Sequence, residues 1–277
     1  MGDLTIAGTT DPGIIRPNNE DRISTTPEIG LAVVADGMGG HQAGEVASGM
    51  AVDVVTRHVV NVIARQAKTS TKHTSKKKQD GPSFEFEAVS EAIALANAAI
   101  FELAQSSPNC SGMGTTVVVT LFHDNKVCVG HVGDSRLYRY RGGKLELLTE
   151  DHSLVQELVT RGLITPEEAR SSANKNLVTR ALGIEPTVES QIMEETLKDK
   201  DIYLLCSDGL NDVVPDEITA TILQECGDDL QGAVDRLVAE VNARGGPDNV
   251  SIILVQTGKH FSRDEKAIAK LSDHLRG

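Results

Sequence analysis

Hydrophobic and polar positions along the chain fall into two periods. Residues 31–35 (LAVVA) form a continuous apolar run that ends in Asp36-Gly37. That pattern predicts a strand buried on both faces that runs into a tight turn. Ala47, Met50, Ala51, Val54, Val55, His58, Val59 and Val62 then recur at helical spacing and predict one apolar helix face. A second helix is predicted over about 85–106, with Phe86, Val89, Ile93, Ile100 and Leu103 inward. Strand patterns follow at 115–122, 126–132, 136–140 and 144–148, with Asp124-Asn125 and Gly142-Gly143 as hairpin turns. Residues 150–185 read as short helices and loops, with Thr165-Pro166-Glu167-Glu168 as a helix start. Strands near 187–195, 201–206 and 249–256 frame two helices near 215–225 and 228–243. Hairpins with helices inserted between them imply antiparallel sheets covered by helices, in a single domain over 1–277.

Two segments break the periodicity. Residues 66–83 (QAKTSTKHTSKKKQDGPS) carry five lysines and no pattern, and predict a mobile surface loop. The tail from 258 to 277 is polar, and its 262–276 portion reads as helical.

Composition narrows the function. Trp is absent and aromatics are 3%, so the core is aliphatic, which also argues against a stacking platform for single-stranded nucleic acid. The formal net charge of -13 argues against binding phosphate backbones. The four cysteines form no CxxC pair, which points to a reducing compartment and no zinc cage. No signal peptide is evident and no apolar run approaches a membrane span, so a cytoplasmic protein without membrane contact is expected.

The candidate chemistry lies in a recurring pattern of aspartates at the ends of apolar strands. VVADGMGG carries Asp36, GHVGDSR carries Asp134, and YLLCSDGLND carries Asp208 and Asp212. GGPDNVSIIL carries Asp248, and RPNNEDR adds Glu20 and Asp21 ahead of a short strand. One such aspartate is merely a turn former or helix cap. Several converging at one sheet edge would repel one another, and hard divalent cations relieve that repulsion. All-oxygen donors favour Mg²⁺ or Mn²⁺ over Zn²⁺. Spacing alone does not bring them together.

RPNNED, DGMGGHQAGE, GMGTT, GDSR, DHSLV, SDGLND and GGPDNVS occur in the order found in the metal-dependent protein phosphatases of type 2C, and the chain most resembles the bacterial stand-alone catalytic domains. The resemblance spans Arg16 to Ser251. It implies an α+β fold, an αββα sandwich of two antiparallel β-sheets flanked by helices. It implies two Mn²⁺ or Mg²⁺ ions, with a third in many bacterial relatives. The matching motifs assign Asp36 as the bridging ligand, the Gly37 carbonyl, Asp208 and Asp248 as further ligands, and Glu20 and Asp21 as holders of metal-bound waters. Asp134 and Asp208, with Asp212 as a helper, would take the third ion. The implied reaction is hydrolysis of phosphoserine and phosphothreonine on proteins by a water bridging two metals. Arg16 would hold the phosphate, and His41, oriented by Glu45, would protonate the leaving oxygen. Residues 150–182 correspond to the flap beside the active site, where several relatives carry His-Pro and this chain has Ser172-Ala173. The implied partners are phosphoproteins and a serine/threonine kinase, with the chain acting as a monomer. A two-metal phosphodiesterase could use the same cluster, but the charge and the lack of aromatics weigh against it. A non-catalytic scaffold would be expected to have lost a ligand, and none is missing.

Overall fold

The computed structural model describes residues 4–40, 42–70, 81–170, 172–259, 261, 263 and 268. Eleven strands and seven α-helices appear among them. One sheet holds β1 (Thr5–Asp11), β11 (Val250–Gln256), β10 (Ile202–Cys206), β7 (Arg136–Arg141) and β8 (Lys144–Leu147), in that spatial order. The other holds β2 (Asp21–Thr26), β3 (Leu31–Met38), β5 (Val117–His123), β6 (Lys126–Val132) and β9 (Gln191–Thr196), with the short β4 (Gly114–Thr115) on the end of β3. Every pairing in both sheets is antiparallel.

Three apolar layers explain the runs that the sequence shows. Leu31, Val33 and Ala35 face α1 (Ala43–Ser70) and α2 (Phe84–Ser106), together with Val55, Val59, Ile93 and Ile100. Ala32 and Val34 face the opposite way and meet Leu205, Ile253 and Val255 between the sheets. The outer face of the second sheet, including Leu204, Ile252 and Leu254, packs on α6 (Asp216–Cys226) and α7 (Leu230–Ala243). Each strand near the centre is therefore covered twice, and burying each Leu, Ile or Val contributes roughly 1.5–3 kcal/mol. The result is the αββα sandwich.

Local chemistry sets the boundaries. Asp124 and Asn125 have φ of 39° and 63°, so a two-residue turn of the mirror-image kind closes β5 onto β6. Gly142 and Gly143, at 56° and 82°, do the same between β7 and β8. Ser83 caps α2 by accepting from the Phe86 N–H at 3.0 Å. The helix start at Thr165 is a reciprocal cap: Glu168 Oε2 accepts from the Thr165 N–H and Thr165 Oγ1 from the Glu168 N–H. That cap opens α4 (Pro166–Arg170), which follows α3 (Leu154–Thr160) in the flap segment.

Two expectations change, and one strand carries no sequence signal. Residues 66–70 continue α1 rather than opening a loop, because nothing in that stretch breaks a helix; residues 71–80 of the expected loop, and most of the tail, lie outside the described residues. Strand β1 carries too few apolar side chains to signal itself, and only Ala7 is buried. It is held by backbone pairing with β11 along its whole length. Finally, Ala43–Ala67 of α1 is long and apolar enough to cross a membrane by length and composition. The interspersed Gly, Ser and Thr hide this from a search for unbroken apolar runs. Here Ala47, Ala51, Val55 and Val59 of α1 are wholly buried in the core.

Candidate active site and metal centre

The acidic residues come from five chain segments that meet at one end of both sheets. Asp36 sits near the end of β3 and pairs in register with Asp21, the first residue of β2. Asp208 opens the short α5 (Asp208–Asn211) directly after β10, and Asp248 lies two residues before β11. Asp134 occupies the turn from β6 to β7, which links the two sheets. Strands β10 and β11 are neighbours, so Asp208 and Asp248 share an edge. Arg16, Glu20, Asp36, Gly37, Asp134, Asp208 and Asp248 all line one cleft of about 480 Å³.

A hydrogen-bond frame holds these positions. Asn249 ties the 12–20 loop down: its Oδ1 accepts from the Glu20 N–H at 2.8 Å, and its Nδ2 donates to the Pro12 and Asn18 carbonyls. Ser207 Oγ donates to Asp21 Oδ2 at 2.8 Å and accepts from the Ser251 N–H. Thr116 Oγ1 accepts from the Asp36 N–H, and Thr115 Oγ1 donates to the Asp36 carbonyl. Gly37 passes so close to the Gly44 and Glu20 carbonyls that a Cβ at this position would overlap them. Ser207 and Asn249 each stand beside an acidic residue inside a motif of the sequence, whereas Thr115 and Thr116 stand in GMGTT, which holds no acidic residue. A reading that sought carboxylates passed over them.

Burial and crowding act on the carboxylates together. Burial first, and then the charges of Asp21, Asp208, Asp134 and Asp248, hold the Asp36 carboxyl well above the usual range. Asp208 is pushed up to about 8, by burial and then by Asp134, Asp212, Asp248 and Asp21. Asp21 and Asp134 each rise to about 6, again mainly through burial. Glu20 is raised by burial, against the pull of Arg16.

The donor set fits divalent metal. The side chains are carboxylates, and Asp21 Oδ1 is buried with no hydrogen-bond partner, an acceptor that a held water would satisfy. Among the described residues no three acidic, His or Cys side chains close tightly round one point. The cleft carboxylates offer only oxygen donors, which suit a hard cation whose shell water completes.

Residues 17–243 match the family model described as Protein phosphatase 2C. The chain belongs to the protein phosphatase 2C family. It is 36% identical over 250 residues to the serine/threonine phosphatase stp of Listeria welshimeri, covering 89% of this chain and 93% of that protein. It is 38% identical to the serine/threonine protein phosphatase PstP of Mycobacterium tuberculosis over 91% of this chain, which spans 44% of that protein. The crystal structure of PstP superposes with a TM-score of 0.78 at 35% identity, covering 92% of this chain and 99% of that one. A PstP catalytic domain in complex with two manganese ions superposes at 0.75, over 94% and 100%. This phosphatase is therefore a metal-dependent serine/threonine protein phosphatase with the α+β architecture of its bacterial relatives.

The placement of the expected residues in the phosphatase is uneven. Arg16 is on the rim, and its guanidinium donates to Asp248 Oδ2 at 2.8 Å. Asp212 lines the neighbouring cavity rather than the cleft and is paired with Lys175 of the flap at 2.8 Å. Its charge still reaches Asp208 and Asp134. His41 lies outside the described residues. Glu45, expected to orient it, pairs with Arg22 at 2.5 Å; the β2 strand puts that guanidinium within reach. Arg136, His131 and His152 are structural. Arg136 forms a two-pronged pair with Asp151 and donates to the Tyr138 hydroxyl. The two imidazoles stack at 4.8 Å, and His152 Nδ1 accepts from the Gly133 N–H, pinning the flap's root beside Asp134.

Proposed function

We propose that the phosphatase hydrolyses phosphoserine and phosphothreonine of proteins in the cleft built round Asp36, and that its partners are a cytoplasmic serine/threonine kinase or that kinase's substrates. The observation that carries the reading is the group of carboxylates gathered in one cleft, where burial first and mutual repulsion second raise Asp36 and Asp208. Such a group is costly to the fold unless cations neutralise it. Asp36, Asp208, Asp248 and the Gly37 carbonyl would hold two divalent ions, with Asp134 beside Asp208 suited to a third. When bound, the ions supply an activated water and positive charge for the phosphoryl oxygens. Asp21, through its unpartnered Oδ1, and Glu20 would orient waters.

Arg16 binds the phosphate. Its pair with Asp248 is half exposed and worth at most about 1 kcal/mol, so the guanidinium can turn to a phosphoryl group at little cost. His41 is assigned the proton for the leaving oxygen on its motif alone. A reducing cytoplasm suits the four free cysteines, and the charge of -13 suits protein rather than nucleic-acid substrates. A monomer accounts for the cleft, because every residue assigned to it comes from one chain.

The test is phosphate release from a phosphothreonine peptide with Mn²⁺, with chelator, and against bis-p-nitrophenyl phosphate. Metal-dependent turnover of the peptide but not the diester is expected. Turnover that survives thorough chelation, or a preference for the diester, would refute the reading.

A further inference from the structure

A second cavity, of about 590 Å³, adjoins the catalytic cleft and is not used by the hydrolysis derived above. The two share Asp134, Asn176 and Asp208 as a common wall. The second cavity therefore opens beside the place a phosphate would take in the cleft. One side is the flap, with Val155, Val159 and Ala169; the other is the start of α6, with Val213 and Pro215. These apolar walls lead to a charged rim.

The balance of charge at that rim is negative. Arg136 is neutralised by Asp151 at 2.7 Å, and Lys175 by Asp212 at 2.8 Å. Asp216 and Glu217, in the first turn of α6, also line the cavity and have no ion pair among the described residues. Acidic residues at a helix start help the helix wherever they occur, and that role alone explains their presence in many helices. It does not explain their place beside apolar walls in a cavity continuous with the reaction site.

We propose that this cavity takes the side chain of an arginine or lysine close in sequence to the phosphorylated residue. The inference rests on the reading of the cleft as the site of hydrolysis. A long basic side chain lays its methylene stem on apolar surface and keeps its charged end at polar groups, which matches the apolar walls and carboxylate rim. A guanidinium also meets a carboxylate with two parallel hydrogen bonds. An acidic or phosphorylated neighbour would be repelled by the same rim. Asp216 and Glu217 thereby set which phosphoproteins are turned over fastest.

The experiment uses the full chain with Mn²⁺ and matched phosphothreonine peptides in which a single arginine is moved along both flanks of an alanine background. Each rate is expressed as the ratio of kcat/KM to that of the all-alanine peptide. At one or two positions arginine should raise the ratio roughly tenfold, about 1.4 kcal/mol, and the gain should shrink as salt rises. Asp216→Asn with Glu217→Gln should bring the ratio to one. Glu217→Lys should favour a glutamate at the same position instead, which keeps the test informative if the double variant fails to fold. A ratio of one at every position, or a preference unchanged in both variants, overturns the proposal. If the alanine and arginine peptides are hydrolysed equally in Mn²⁺, only this inference falls. If neither they nor p-nitrophenyl phosphate is hydrolysed, the underlying reading falls with it.

Discussion

Replacing Asp208 with asparagine should destroy catalysis and yet make the metal-free protein more stable. In the fold the Asp208 carboxyl is raised from its ordinary 3.8 to about 8 by burial and by four neighbouring carboxylates. The unfolded chain therefore releases this proton from about pH 4 upward, while the folded chain keeps it until about pH 8. Stability is lost across that window as pH rises. A shift of about four units corresponds to roughly 5–6 kcal/mol at 1.36 kcal/mol per unit. The carboxylates share that repulsion and waters soften it, so about half, roughly 3 kcal/mol, is the working expectation at pH 8. At pH 5 the corresponding gain is about 1 kcal/mol. For a chain of this size a gain of 3 kcal/mol raises Tm by about 6 °C. The assay is thermal unfolding of wild type and Asp208→Asn in chelator at pH 5 and pH 8, repeated with Mn²⁺. Asp208→Asn should melt higher in chelator, by more at pH 8, and the order should reverse with metal, which stabilises only a chain that binds it. A variant that melts at or below wild type in chelator at pH 8, or whose advantage shrinks as pH rises, would refute the electrostatic account of the cleft.

Three further outcomes follow from the same geometry. Asp36→Asn should abolish metal-dependent phosphopeptide hydrolysis, whereas Asp134→Ala should leave partial activity that more Mn²⁺ restores, as measured by steady-state rates across a metal titration. Arg16→Ala should raise KM for a phosphopeptide roughly tenfold while changing unfolding stability by less than about 1 kcal/mol, because its pair with Asp248 is half exposed. Asn249→Ala removes three hydrogen bonds that pin the 12–20 loop; denaturant unfolding should show a loss of about 3 kcal/mol, together with weaker Mn²⁺ binding by calorimetry.

The elements of this phosphatase were legible because each marks the residues that form it. LAVVA is apolar throughout since α1 and α2 cover one face of β3 and the second sheet covers the other. Asp124-Asn125 and Gly142-Gly143 tolerate the positive φ that a two-residue turn demands. Strand β1 escaped because its evidence is backbone pairing with a segment some 240 residues away, which leaves no mark on its own side chains. Of the site, the sequence supplied the acidic residues, each at a strand end or just beyond one, and through the order of the motifs it supplied their family. It did not supply their meeting. Asp36 comes beside Asp208 and Asp248 only because β3 and β10–β11 lie in facing sheets whose same ends carry all three. The raised carboxyls, the pairing of Glu45 with Arg22 and the shared wall of the two cavities are likewise properties of distances between remote segments. Charge interactions depend on separation and on the dielectric between the groups, and both exist only once the chain has folded.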